Sequence, residues 1–141
     1  MAIRCVDASL VVAWLIPEQR TPAVVGVWEA YAKGRDQFIG PPILYAETIS
    51  AVRRLASRKL LTSDEAAGMV TDILSSGIPV RSPPGLYRRA YELAERHGQT
   101  TIYDACYIAL AQLLSCEFLT LDKRLYNAMK KAFPHVRLVE A

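Results

Sequence analysis

Asp7, Glu47, Asp104 and Asp122 each stand where a strand or turn hands over to a helix, and they are the chain's strongest candidates for chemistry. Three sit in informative contexts: Val6-Asp7-Ala8-Ser9, Tyr103-Asp104-Ala105-Cys106-Tyr107-Ile108-Ala109-Leu110-Ala111 and Leu119-Thr120-Leu121-Asp122-Lys123-Arg124-Leu125. Carboxylates drawn together repel one another, so either they hold their protons above the usual range or a divalent cation neutralises them. Hard carboxylate oxygens suit Mg²⁺ or Mn²⁺. The chemistry implied is metal-assisted attack at phosphate.

The elements that must bring these acids together alternate along the chain. A buried strand is expected over 3–6, then a helix from position 7 or 8 to 15 that Pro17 stops. Thr21-Pro22 reads as an N-cap with proline at the first helical position, opening a helix to about 33 that Gly34 ends. Phe38-Ile39 is a second strand, and Gly40-Pro41-Pro42 turns the chain into a long helix over 43–59. Thr62-Ser63-Asp64-Glu65 matches a capping box for the next helix, to about 74. A third strand is expected at Ile78-Pro79-Val80, and Ser82-Pro83 is expected to cap a helix to 96. The remaining expectations are a helix over 101–114, a strand over 118–121, a helix over 123–131 and a last strand over 136–139. Strands separated by helices imply an α/β domain with a parallel five-stranded sheet and helices on both faces. Helices that follow strands begin at the carboxyl edge of such a sheet. A helix that feeds a strand runs antiparallel to it and begins at the same edge. All four acids therefore share the rim where open α/β sheets bind ligands.

Each acid taken singly has a plainer reading. Asp7 and Asp122 suit N-caps, Thr101-Ile102-Tyr103-Asp104 resembles a capping box, and Glu47 suits a solvated helix face. Two details pull the other way. Asp104 lies among apolar neighbours, a costly setting for an unpaired charge. Glu47 has no lysine or arginine three or four positions away.

Composition narrows the class. With 52% hydrophobic and 22% charged residues the chain is globular and not disordered. Its uninterrupted apolar runs are too short to span a bilayer, and its first residues lack a signal-peptide layout, so no membrane association and a cytoplasmic location are expected. Three cysteines without C-x-x-C spacing read as buried free thiols. The net charge is +3, and the body becomes more basic once the four acids are set aside as one site, which suits a polyanionic partner.

These residues together resemble the PIN-domain proteins, in particular the VapC-type toxins of toxin–antitoxin pairs. The likeness runs end to end. It rests on Asp7 with Ser9 after the first strand, on Glu47 followed by Arg53-Arg54, on the Thr-x-Tyr-Asp-Ala-x-Tyr-x-Ala-Leu-Ala segment over 101–111, and on Phe118-Leu119-Thr120-Leu121-Asp122-Lys123-Arg124-Leu125. The resemblance implies one PIN-like nuclease domain over 1–141, a Mg²⁺- or Mn²⁺-dependent ribonuclease activity, a homodimer and a small antitoxin partner. One departure is that Gln112-Leu113-Leu114-Ser115-Cys116 lacks the glycine expected before the fourth strand.

On this reading Asp7 and Asp104 are the main metal ligands, and Asp122 and Glu47 complete the catalytic set. Ser9, Thr101 and Thr120 are placed to orient carboxylates or water. Arg53, Arg54, Arg58, Lys123 and Arg124 are candidates for phosphate contacts. His97 and His135 are isolated. Two other classes stay open. One is a noncatalytic nucleic-acid-binding module. The other is an acid-cluster phosphatase or phospho-acceptor domain, although a D-x-D loop needs an acid where Ser9 stands. DNA also stays open as a substrate.

Overall fold

The computed structural model describes residues 2–140. The elements run β1 (Ala2–Val6), α1 (Ala8–Leu15), a 3₁₀ turn (Pro17–Gln19), α2 (Pro22–Ala32), β2 (Asp36–Ile39), α3 (Leu44–Ser57), α4 (Ser63–Leu74), α5 (Leu86–Arg96), α6 (Tyr103–Leu113), β3 (Glu117–Thr120), α7 (Lys123–Met129) and β4 (Val136–Leu138). All strand pairings are parallel, in the order β2-β1-β3-β4. Among the described residues no helix is long and apolar enough to cross a membrane.

The register places helices on both faces. Phe38 lies opposite Arg4, and Phe118 lies opposite Cys5. Arg4 and Cys5 are successive residues of one strand and point to opposite faces, so Phe38 and Phe118 do as well. Phe38 stacks on Tyr31 and meets Trp28 edge-on, both from α2. Phe118 stacks on Tyr107 of α6. The central strand ends Cys5, Val6, Phe118 and Leu119 are buried, which parallel pairing between two helical layers requires. Cys5 and Cys106 are buried, Cys116 is half-buried, and all three are free thiols.

A charge ladder crosses the sheet near the amino ends of its strands. Asp36 of β2, Arg4 of β1, Glu117 of β3 and Arg137 of β4 alternate in sign, with 3.0 Å contacts for Arg4–Asp36 and Arg137–Glu117. Arg4 also bonds Glu117.

Three expectations are corrected. The sheet has four strands among the described residues, not five. The 78–80 segment makes a single parallel bridge, Gly40 to Val80. Gly40 N–H donates to the Pro79 carbonyl at 3.0 Å, and Arg81 N–H donates to the Gly40 carbonyl at 2.8 Å. Continuing the ladder backwards needs an N–H from Pro79, and forwards one from Pro42; neither has a donor to give. Second, α5 starts at Leu86 with Gly85 at its N-cap, φ +86°, and Ser82 does not cap it. Pro84 disfavours helical backbone at Pro83, so the helix waits until both prolines are passed. Third, the turn that lacked a glycine is made by Ser115 at φ +52°. Its neighbour Cys116 N–H closes the helix end on the Ala111 carbonyl at 3.0 Å.

Gly40 sits at the carboxyl end of β2, where the chain passes beneath α3. A Cβ added there would lie 2.5 Å from Leu44 Cδ2 and 3.1 Å from Leu44 Cβ, and Leu44 is only 1% exposed. Gly40→Ala is therefore expected to destabilise the fold by about 1–3 kcal/mol. A urea-unfolding cycle with Leu44→Ala checks the cause. The clash predicts that the double variant loses less than the sum of the singles, and strict additivity would refute it.

Candidate active site

Asp7 follows β1 and caps α1, and it is buried with 7% exposure. Three donors meet its carboxylate. Oδ1 accepts from Ser9 Oγ at 2.5 Å and from Leu10 N–H at 3.2 Å, and Oδ2 accepts from Thr120 Oγ1. Each hydroxyl in turn accepts an N–H from the loop after β3. Ser9 Oγ accepts from Leu121 N–H at 3.1 Å, and Thr120 Oγ1 accepts from Asp122 N–H at 2.9 Å. The loop after β1 is thus stitched to the loop after β3. Asp122 completes that second loop by capping α7, accepting from Leu125 N–H at 3.0 Å.

Glu47 and Asp104 come from helices. Glu47 lies in the first turn of α3 and Asp104 in the first turn of α6. The buried Tyr107, one turn beyond Asp104, donates from Oη to Glu47 Oε1 at 2.6 Å. Asp104 caps nothing: the N-cap of α6 is Ile102, with no side-chain cap bond, so the capping-box reading of Thr101 with Asp104 fails. Thr101 is exposed and lines a cleft beside Asp104, while Ser9 and Thr120 hold Asp7 directly.

The four acids share one electrostatic field. Burial pushes the Asp7 carboxyl up to about 6, against the lowering pull of Ser9, Thr120 and Leu10, and Asp122 adds repulsion. Burial raises Asp104, with Asp122 adding to it and Arg124 opposing. Burial raises Glu47, its Tyr107 bond lowers it, and Asp104 raises it again. Repulsion therefore runs from Asp7 through Asp122 and Asp104 to Glu47. Among the described residues, however, no three His, Cys, Asp or Glu side chains close on one point as a ready-made metal cage. The donor set still fits Mg²⁺ or Mn²⁺. Its oxygens are hard, and Mg²⁺ ordinarily takes one or two carboxylates and keeps several waters.

Clefts flank the rim. One of about 400 Å³ is lined by His97, Thr101, Asp104 and Arg124 among others. Two of about 330 Å³ each share Glu47 and Arg54. Of the basic candidates, Arg54 and Arg124 therefore stand beside the acids, while Arg53, Arg58 and Lys123 are simply exposed. His97 ends α5 and joins the first cleft instead of standing apart. Sequence reasoning assigned Tyr107 no task. Its spacing three residues after Asp104 on one helix was the available signal, because that spacing puts both side chains on neighbouring parts of one face.

The comparisons agree with this architecture. The PIN domain family model matches residues 4–131, and the chain belongs to that family. Ribonuclease VapC3 of Pyrobaculum aerophilum is 31% identical over 122 residues, covering 85% of this chain and 89% of that protein. The crystal structure of PAE2754 from the same organism superposes with a TM-score of 0.68 at 20% identity, covering 98% of this chain and 90% of that one. Mycobacterium tuberculosis VapC20, described as a sarcin-ricin loop cleaving toxin, superposes with a TM-score of 0.61 at 18% identity, covering 89% and 94%.

Asp7 binds its proton more tightly in the folded chain than in the unfolded one, where 3.8 is the ordinary value. Between about pH 4 and pH 6 the folded state therefore holds more protons, and its stability falls as pH rises through that window. Asp7 alone accounts for roughly 2 kcal/mol of that loss. Urea melts in EDTA at pH 4 and pH 7 are expected to show the decline in wild type and a decline smaller by about that amount in Asp7→Asn. Equal declines would refute the desolvated carboxylate.

Proposed function

We propose that this PIN-domain protein is a metal-dependent endoribonuclease of the toxin type, cutting RNA by attack of water on the phosphodiester. The observation that carries the reading is the rim of four acids linked in series by repulsion, three of them desolvated, with arginines in the adjoining clefts. Membership of the PIN domain family and the ribonuclease activity in the name of its Pyrobaculum relative support it.

In this reading Asp7 and Asp104 are the principal holders of Mg²⁺ or Mn²⁺, and Asp122 and Glu47 complete the set. The bound ion supplies charge neutralisation at the phosphate and a more acidic water. The remaining work belongs to the chain. Ser9 and Thr120 fix both oxygens of Asp7, so the carboxylate presents one orientation. Tyr107 fixes Glu47. Arg54 and Arg124 hold phosphates on either side of the cut. The products are a 5′-phosphate and a 3′-hydroxyl. The whole of 1–141 acts as one nuclease domain, paired as a homodimer and neutralised by a small antitoxin. Light scattering is expected to give a mass near twice 15.7 kDa, and a monomer at high concentration would refute the dimer.

The test is incubation of total RNA with the protein in Mg²⁺ or in EDTA, followed by mapping of the cut ends. Wild type is expected to cleave only with metal, and Asp7→Asn to fall to background. Cleavage undiminished in EDTA sinks the assignment.

Asp122 needs a separate variant, because it caps α7. Asparagine caps about as well as aspartate, whereas losing a cap costs ~1 kcal/mol. Asp122→Asn is expected to melt in EDTA as high as wild type or higher, to gain less from Mg²⁺, and to lose activity. Equal Mg²⁺ shifts and equal activity would leave Asp122 a cap alone.

A further inference from the structure

Tyr103 is the first residue of α6, immediately before Asp104, and its large aromatic side chain is 51% exposed. It lies across a cleft of about 330 Å³ from Ile43, Ala46, Glu47, Ser50 and Arg54. Ala46, Glu47, Ser50 and Arg54 form one stripe along α3, and Ile43 is the helix's N-cap. Glu47 is therefore approached from α6 by two tyrosines one turn apart. Tyr107 is buried and spends its hydroxyl on the carboxylate. Tyr103 stands out in solvent with its ring available.

Arg54 lines the same cleft. It is exposed, and its charge is felt at Glu47. Among the described residues the ion pairs are Arg4–Asp36, Arg4–Glu117 and Arg137–Glu117, so Arg54 is committed to no carboxylate. An exposed aromatic ring and an uncommitted guanidinium lining one shallow cleft match a nucleotide. The ring takes the base by stacking, and the guanidinium takes the phosphate.

We propose that Tyr103 and Arg54 form a subsite for one unpaired nucleotide of the substrate, on the α3 side of the acid rim: Tyr103 stacks its base and Arg54 holds its phosphate. The proposal rests on the ribonuclease reading and adds to it a residue that contacts a base. A base locked in a duplex cannot offer its face to Tyr103. Because every base has a π-face, the subsite selects for an unpaired base and not for one sequence.

The test is fluorescence anisotropy in EDTA at low salt with three labelled probes: a 12-residue oligo(A), the same ribose-phosphate chain lacking bases, and a GC-rich RNA duplex of 12 base pairs. Wild type is expected to bind oligo(A) about tenfold or more tightly over both others. Tyr103→Phe keeps the preference, since stacking needs no hydroxyl. Tyr103→Ala abolishes the preference over the abasic chain. Arg54→Ala weakens binding of oligo(A) and the abasic chain alike and lowers the salt slope by about one. Tyr103→Ala that still prefers oligo(A) as wild type does overturns the subsite. A fall of Tyr103→Ala from dimer to monomer mass gives the face to a second copy and also overturns it. Failure of the ribonuclease reading looks different: no metal-dependent cleavage of total RNA by wild type, whatever the anisotropy shows.

Discussion

A buried carboxylate is tolerated only when donors replace the water it has lost, and the arrangement around Asp7 is built on that requirement. Its two oxygens meet two hydroxyls and one backbone N–H, and each hydroxyl is tied by an N–H from the loop after β3. These bonds exist because β1 and β3 are neighbours, with Val6 opposite Leu119. Backbone pairing therefore delivers Asp7 and Asp122 to one place before any side chain chooses a rotamer. The helical acids are added from either side, Asp104 by the short loop between α5 and α6 and Glu47 by the bond from Tyr107.

Much of this was legible from local pattern. Asp7, Asp122 and the Thr62–Glu65 box cap helices as their residue types require, and the shared rim follows from strand direction alone. What escaped was decided by tertiary geometry. Ile78-Pro79-Val80 has strand composition, but the missing N–H of Pro79 is felt only where a partner strand asks for it. Thr101 and Asp104 have the spacing of a capping box, yet α6 begins after Ile102, at Tyr103. Ser115 takes the left-handed turn that a glycine would make more cheaply, because the chain must reverse there to enter β3. Tyr107 reads as an ordinary core aromatic until Glu47, sixty positions away, is placed beneath its hydroxyl.

The two ends of the sheet divide the electrostatic labour. At the amino ends, opposite charges alternate from strand to strand, and each meets a partner. At the carboxyl rim, like charges are gathered and three are pushed above their ordinary range by desolvation. The rim is thus a local electrostatic cost carried by a fold stabilised elsewhere. The same division separates the arginines. Arg4 and Arg137 belong to the ladder, while Arg54 and Arg124 face the clefts beside the acids.

The lone bridge from Gly40 to Val80 has a consequence for the molecule's behaviour in a crowded solution. β2 is an outer strand of the sheet, and a bare outer strand is a template for another chain. Here the carboxyl end of that margin is already occupied by a segment held from two sides. Tyr45 Oη donates to the Ile78 carbonyl at 2.6 Å, and Tyr31 Oη donates to the Ser76 carbonyl at 3.2 Å. Pro79 keeps the segment from extending as a strand, and two tyrosine hydroxyls hold its carbonyls. It works as a doorstop: it fills the position a stranger's backbone would take and gives that stranger no ladder to extend.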